Sequence, residues 1–473
     1  MGRLASEGYQ MATSEAIHDR LQLNTPFALK VKVPPDGRDR PADLCEAARQ
    51  VEARVSELKL LRLAEDGLVY ELTVFTKGDN HLAEVRNAIK ALEGVTLLET
   101  TDLAMESHRG GACETRARTE IRSNTDLRIV YTPGVARVCK AIQADPAMAR
   151  TYTNIANKVA IATNGTAILG LGDIGPLAGL PVMEGKAAIF WNFAGISAEP
   201  LLIDTKDPDE FISVMSKLAC GFGAIQIEDV AAPECFRITR QLDAMLDIPV
   251  FHDDQHGTAT VVLTGVYSAL RNTGQDMSRT SCVISGAGAA GTAVADLLMK
   301  AGIGDVVLCD RAGALYRGRP ENMNSEKVAL ADRTNMDNVK GGLADAMRGR
   351  NLFIGVSRPN IVSKDMVRAM APKAIVLALA NPVSEIGKAD ALAAGAAVYA
   401  DGRTINNALA YPGIFRGALD AQAKAITEEM MVAAAHALSG IVPQGELMPE
   451  MMDPATHAAV AKAVAQAAPG RQG

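Results

Sequence analysis

From Phe27 onward the spacing of apolar and polar residues changes period several times. "FALKVKV" alternates with a period of two, as a half-buried strand does, and "ADLCEAARQVEARV" then places its apolar residues at helical spacing. "ELKLLRL" and "LVYELTVFT" flank the turn "AEDG", "HLAEVRNAIKAL" is helical again, and "GVTLLETTD" closes the unit near Asp102. The order strand, helix, strand, strand, helix, strand predicts a ferredoxin-like split βαβ fold. No constellation of chemically active side chains lies within it.

Polar, glycine-containing "MESHRGGACETRARTE", Met105 to Glu120, reads as a linker. After it, "KVAIATNG", "AAIFWNF", "EPLLID", "GAIQIED" and "IPVFHDD" are short β-like runs separated by helical or loop segments, the pattern of a parallel α/β sheet. A second α/β series starts at Ser281 with "SCVISGAG", "DVVLCD", "NLFIGVS", "KAIVLALANP" and "AAVYADG", and the tail from Ala418 is alanine- and methionine-rich with helical periodicity. Three domains are expected: residues 1–104 with the ferredoxin-like unit, 105–277 with a parallel sheet, and 278–473 as a Rossmann-type domain carrying C-terminal helices. The length of 473 residues agrees, at about 150 per domain.

Composition narrows the partners. With 48% hydrophobic residues, 22% charged residues and a net charge of -7, the chain has no bulk attraction for nucleic acid. Its seven cysteines form no C-x-x-C pair, which disfavours a zinc ribbon or a disulfide framework and points to a reducing cytoplasm. The N-terminal stretch lacks the apolar run of a signal peptide, and no stretch of about 18 residues is apolar enough to span a bilayer, so a cytoplasmic location is expected.

G-x-G-x-x-G occurs twice, as "GLGDIG" (Gly170, Gly172, Gly175) and "GAGAAG" (Gly286, Gly288, Gly291), and context separates the two. The second follows the apolar strand "CVIS" and opens the helical run "TAVADLLMKAG", so Gly286, Gly288, Ala289, Ala290 and Gly291 fit a turn where pyrophosphate meets a helix N-terminus. The next strand ends in Asp310, at about the distance where an acidic group meets a ribose hydroxyl. Asp310 favours NAD, whereas Arg311 directly after it could pair with the extra phosphate of NADP. The first match runs into "PLAGLPVMEG", whose prolines are expected to stop a long helix from forming directly, so it reads as a glycine loop lining something else.

"FHDDQHGTA", Phe251 to Ala259, sets two histidines four apart, close to the spacing of a helical zinc-peptidase motif. The stretch follows the strand "IPVF", has Asp253 where that motif needs glutamate, and is expected to become helical only at Gly257. Local hydrogen bonding by His252 and His256 is the simpler reading. The carboxylates are more informative. Glu228 and Asp229 end one strand, Asp253 and Asp254 the next, and parallel pairing would bring both pairs to one carboxyl-end edge. Such crowding calls for a cation, and hard oxygen ligands suit Mg²⁺ or Mn²⁺. Lys186, beside an apolar strand-like run, would be a general base if desolvation near a metal lowered its pKa. Tyr131, ahead of a Thr-Pro-Gly turn, is either a packed amphipathic ring or a proton donor.

Taken together, "YTPGVA", "TNGTAILGLGDIG", "PVMEGKA", "IEDVAAPECF", "FHDDQHGTA", "GAGAAG", "LANPVSEI" and "INNALAYPGIFRGAL" resemble, in order and approximate spacing, the malic enzymes of the short bacterial type. The resemblance covers roughly Leu127 to the C-terminus. It implies oxidative decarboxylation of L-malate to pyruvate and CO₂ with NAD(P)⁺ and a divalent metal. Carried over by motif, it implies Glu228, Asp229 and Asp254 as metal ligands, Lys186 as general base, Tyr131 as general acid and Asp253 as a relay beside the metal. Asn381 and Asn407 match amides that hold substrate carboxylate and cofactor, and a homodimer or higher homo-oligomer is implied. The arginine that larger relatives carry within the glycine loop is Ala167 here. The N-terminal unit resembles an ACT domain, which implies a small-molecule effector or subunit contacts at that end. The competing readings are a metal-independent amino-acid dehydrogenase and a non-catalytic regulatory protein.

Overall fold

The computed structural model describes residues 25–64, 66–168, 171–381 and 383–469. The chain separates into two compact units, 1–112 and 113–473. In the first, strands β1 (Thr25–Val33), β2 (Arg54–Ala64), β3 (Gly67–Thr76) and β4 (Thr96–Asp102) form an antiparallel sheet in the order β2-β3-β1-β4. Helices α1 (Arg40–Gln50) and α2 (Asp79–Lys90) supply the apolar faces, with Leu44, Ala48, Val85 and Ile89 fully buried against Leu29, Val31 and Leu72. This is the expected ferredoxin-like βαββαβ arrangement.

The second unit holds two parallel sheets. The first, in the order β6-β5-β7-β8, is built from β5 (Lys158–Thr163), β6 (Ser197–Leu202), β7 (Ala224–Ile227) and β8 (Val250–His252). Six strands make up the other: β9 (Ser281–Ser285), β10 (Asp305–Asp310), β11 (Gly313–Ala314), β12 (Leu352–Gly355), β13 (Ile375–Ala378) and β14 (Val398–Asp401). Their order is β11-β10-β9-β12-β13-β14, and all pairs are parallel except β10 with β11. Strands β7, β12 and β13 are buried along their whole length, as parallel strands covered on both faces require.

Before β5 the chain carries a segment without a core of its own. It includes helix α3 (Val135–Ala144), and no residue from 113 to 158 is buried. Ile121, Leu127, Ile129, Val130, Tyr131 and Tyr152 are exposed large apolar side chains within it.

Two expectations need correction in the next stretch. "AAIFWNF" is not a strand but the second half of helix α4 (Pro176–Ala194), and the prolines after the glycine loop do not prevent that helix. Met183, Ala187 and Phe190 are buried at spacings of four and three while Trp191 is 61% exposed, so the true period is helical. Pro176 stands at the first helical position, where its missing N–H costs nothing, and Pro181 forfeits one bond in a helix whose buried face compensates.

Helix α5 (Thr258–Thr273) follows β8, and α6 (Ala289–Lys300) follows β9. The C-terminal helices α7 (Tyr411–Asp420), α8 (Glu428–Ile441) and α9 (Pro454–Ala467) pack back onto α4 and α5 rather than extending the six-stranded sheet. Phe190 of α4 meets Tyr411 and Phe415 of α7 edge-on at centroid distances of 4.9 and 5.2 Å, and Phe251 of β8 meets Phe415 at 5.4 Å. One continuous apolar core therefore runs from the four-stranded sheet to the nucleotide-type sheet.

Candidate active site

Glu228, Asp229, Asp253 and Asp254 converge because β7 and β8 pair in parallel, with Ile227 opposite His252, so both strands deliver carboxylates at the same end. Glu228, Asp229 and Asp254 each offer an oxygen within 4.8 Å of one another. Glu228 and Asp229 are buried, and Asp229 takes a left-handed backbone (φ 52°), a conformation that aspartate tolerates better than most residues. Its carbonyl accepts the Ala167 N–H at 3.0 Å, which ties the glycine loop to the acidic edge. Of that loop, Leu169 and Gly170 lie outside the described residues.

Lys186 enters from α4. Its Nζ stands 2.7 Å from Glu228 Oε1, contacts Asp253 Oδ2, and lies 5.0 Å over the ring of Tyr411. Burial alone would lower its pKa, but Asp253 and Glu228 outweigh burial and hold the ammonium well above its ordinary value. The apolar run lies along the helix, whereas the amine faces two carboxylates whose charge keeps the proton on it. Glu228 is pushed well up by burial, with Lys186 opposing and Asp253, Asp254 and Asp229 adding repulsion.

Asp253 is fully buried and accepts Asn407 Nδ2 at 3.2 Å, and its Oδ1 has no hydrogen-bond partner among the described residues. A π-helical turn, Asp253–Gly257, carries it, so the chain widens before α5 instead of starting a regular helix at Gly257. His256 Nδ1 accepts the His252 N–H at 3.3 Å, and burial with repulsion from His252 lowers the His256 pKa to about 3. Both histidines lie outside the three-carboxylate group. Asn407 also accepts Thr258 Oγ1 at 3.3 Å. Asn381 follows β13, and its amide stands where a side chain on Gly402 would have to go. Tyr131 is 65% exposed at the end of a short helix, and among the described residues its hydrogen bonds run through its backbone.

Sequence reasoning missed Tyr411, although it lies in the quoted "NNALAYPG". It is 1% exposed, its hydroxyl has no partner among the described residues, and burial raises its pKa far above the ordinary range. An aromatic before Pro-Gly at a helix start carried no signal of what it would face.

The turn after β9 has the geometry of a phosphate cradle. A side chain on Gly286 (φ 120°) would meet Val356 O at 2.6 Å, and one on Gly291 would meet Gly286 O at 1.8 Å, whereas Gly288 opens on free space. Helix α6 begins at Ala289 and Ala290 with its N-terminus at that opening. Asp310 ends β10 as expected but is already engaged by Arg319, Asn322 and Lys327.

A dinucleotide-type Rossmann sheet beside a buried lysine and carboxylate cluster defines a class of two-domain α/β oxidoreductases. Comparison narrows the class. The malic enzyme N-terminal domain matches residues 111–207, and the malic enzyme NAD binding domain matches 255–405 and 403–468. The bifunctional malic/malolactic enzyme of Bacillus subtilis is 46% identical over 368 residues, 76% of this chain and 90% of that protein. The NAD-dependent malic enzyme of Geobacillus stearothermophilus is 42% identical over 411 residues, 86% of each chain. An NADP-dependent malic enzyme of Rhizobium meliloti is 41% identical, over 80% of this chain but 53% of that protein. Among solved structures, the malic enzyme of Thermotoga maritima superposes with a TM-score of 0.75 at 40% identity, covering 76% of this chain and 98% of that one. The chain belongs to the malic enzyme family.

Proposed function

We propose that the protein oxidatively decarboxylates L-malate to pyruvate and CO₂, reducing NAD(P)⁺, with Mg²⁺ or Mn²⁺ required. The observation that carries this reading is the meeting of Glu228, Asp229 and Asp254 beside Lys186 in a chain of this family. The donor set fits a hard divalent cation, being three carboxylates with no sulfur or imidazole. Burial raises the Glu228 pKa, with repulsion from Asp253, Asp254 and Asp229 adding to it, and Asp253 Oδ1 has no hydrogen-bond partner among the described residues.

A cation held by Glu228, Asp229 and Asp254 would act as a Lewis acid toward the substrate C2 oxygen and offset the charge that keeps Lys186 protonated. A nicotinamide cofactor seated at Gly286, Gly288, Ala289, Ala290 and Gly291 would accept hydride from C2. Lys186 Nζ is the group placed to take the C2 hydroxyl proton, with Asp253 Oδ2 next in line to relay it. The C3–C4 bond then breaks, CO₂ leaves, and C3 is protonated to give pyruvate. Asn407 keeps Asp253 aimed at Lys186, and Asn381 is assigned to substrate carboxylate and cofactor.

Tyr131 is assigned as the C3 proton donor, and its exposure gives the assignment a structural consequence. The segment 113–158 buries nothing of its own and displays a row of apolar side chains, so a homo-oligomer in which it packs on a second copy would bring Tyr131 to a neighbouring site. Residues 105–277 would then serve substrate and metal and 278–473 the cofactor, with the ferredoxin-like unit as an ACT-type effector or assembly module. All seven cysteines are free, in keeping with a cytoplasmic protein, and no described helix is long and apolar enough to cross a membrane. A metal-independent amino-acid dehydrogenase would leave the carboxylate group without a purpose. The test is malate-dependent NAD(P)H formation with pyruvate release; Lys186→Ala should abolish it, and an unchanged rate would remove Lys186 from the mechanism.

A further inference from the structure

The carboxylate of Asp310 at the end of β10 is held by its own neighbours. Its Oδ1 accepts the Ala312 N–H at 2.8 Å and Arg319 Nη1 at 3.0 Å. Its Oδ2 accepts Arg319 Nη2 at 2.5 Å, Lys327 Nζ at 2.7 Å and Asn322 Nδ2 at 2.9 Å. A carboxylate has about four lone-pair sites, and five donors already converge on this one. A ribose hydroxyl would have to displace Lys327 or Asn322 to donate to it.

The cations are arranged for a different guest. Arg319 is 4% exposed in its side chain and spent: its remaining N–H groups go to Gly313 O, Ala314 O, Asn322 O and Met323 Sδ. Asn322, itself in the left-handed region (φ 54°), turns its carbonyl to accept both Arg319 and Lys327, the latter at 2.9 Å. Lys327 uses two of its three N–H groups, on Asp310 and on Asn322 O, and keeps one. Arg311 follows Asp310 directly, is exposed, and forms no ion pair among the described residues. Two cations, Arg319 and Lys327, thus take up the charge of one carboxylate, and Arg311 is the next residue in the chain, which leaves the corner net positive at the end of β10, where a dinucleotide's adenosine ribose binds.

We infer that this corner selects a phosphorylated ribose: Lys327 and Arg311 hold the 2′-phosphate of NADP⁺, and Asp310, clamped by Arg319, positions Lys327 instead of meeting the ribose hydroxyls. The inference rests on the dinucleotide-dependent reading above and assigns its cofactor. It moves the weight from NAD, which Asp310 read alone favours, to NADP.

The test uses the full chain and calorimetric titration with adenosine 2′,5′-bisphosphate against 5′-AMP, a pair differing only in the 2′-phosphate. The wild type should bind the bisphosphate at least about tenfold more tightly, with an advantage that shrinks as salt rises. Arg311→Gln and Lys327→Gln should each remove most of that advantage while 5′-AMP affinity stays within about twofold. Arg311 is exposed, so its variant remains readable even if Lys327→Gln fails to fold. Equal or tighter binding of 5′-AMP, no binding of either nucleotide, or an advantage that survives both substitutions would overturn the assignment. Neither probe needs malate, so a bisphosphate preference without malate oxidation would sink the reaction alone. Malate oxidation with a 5′-AMP preference would sink this assignment alone.

Discussion

Replacing Gly257 with alanine sets two effects of opposite sign against each other. The residue sits at φ -64° and ψ -49°, so no backbone strain opposes a side chain, and helix propensity favours alanine by about 1 kcal/mol. The added Cβ would fall 1.9 Å from Asp253 Oδ1 and 2.9 Å from its Cγ. Asp253 is fully buried and held on its other oxygen by Lys186 and Asn407, so the carboxylate cannot swing aside without loosening one of them. Overpacking of this kind costs about 1–3 kcal/mol, and a weakened hydrogen bond to a charged group about 1.5–3 kcal/mol. The steric effect wins, giving a net loss of roughly 2 kcal/mol or more. Lys186 would shift with its partner, and misplacement by about 1 Å costs on the order of 10²-fold in rate. Urea unfolding and steady-state malate oxidation read the two consequences separately. A Gly257→Ala variant with an unchanged or higher unfolding midpoint and full activity would refute the packing argument and, with it, the reason glycine stands behind the acidic turn.

Lys186→Ala should lower kcat by about 10³-fold or more while nucleotide binding, measured with adenosine 2′,5′-bisphosphate, stays within twofold; loss of both would mark a folding role instead. If Tyr131 serves a neighbouring subunit, equal mixtures of co-refolded Tyr131→Phe and Lys186→Ala chains should regain up to about a quarter of wild-type activity, and no regain would place Tyr131 in its own subunit's site or outside catalysis. Burial tends to raise the Asp310 pKa, yet Arg319 and Lys327 overcome it and bring the value down to about 2 from 3.8. The folded-state pKa is depressed, so the stabilisation, about 2 kcal/mol, is fully present above pH 3.8 and is lost as pH falls toward 2. The stability gap between wild type and Asp310→Asn in urea should therefore narrow below about pH 4, and a gap independent of pH would contradict the clamp. Phe190→Ala, which opens the aromatic junction with Tyr411 and Phe415, should cost about 3–5 kcal/mol in the same assay.

What could be read in the chain followed from period and strand ends. Strands such as "CVIS" and "DVVLCD" are uninterrupted apolar runs bounded by glycine or acidic residues, and parallel pairing then fixes which carboxylates meet; Glu228, Asp229 and Asp254 were visible for that reason. Helix α4 misled because glycines and prolines break its pattern, and its buried positions emerge only once Ile168 packs on Gly179, where a Cβ would stand 2.5 Å from Ile168 Cδ1. The partners of Lys186 and Asp310 were out of reach for a different reason. Lys186 lies 67 residues from Asp253, and Asp310 reaches Lys327 through a loop whose course depends on the backbone of Asn322. Charge sign at one position does not reveal which neighbour has already consumed it, so Asp310 alone pointed to one cofactor and Asp310 with its partners to the other.

Glu228, Asp229 and Asp254 are proposed to hold the divalent cation that malate oxidation requires. The most direct measurement is pyruvate release from malate and NADP⁺ by metal-stripped protein titrated with Mn²⁺, in parallel with Asp254→Asn. No turnover is expected in EDTA, with full recovery by Mn²⁺ in the wild type and at least about tenfold weaker Mn²⁺ affinity in the variant. Malate oxidation that runs equally well with and without Mn²⁺ would contradict this assignment.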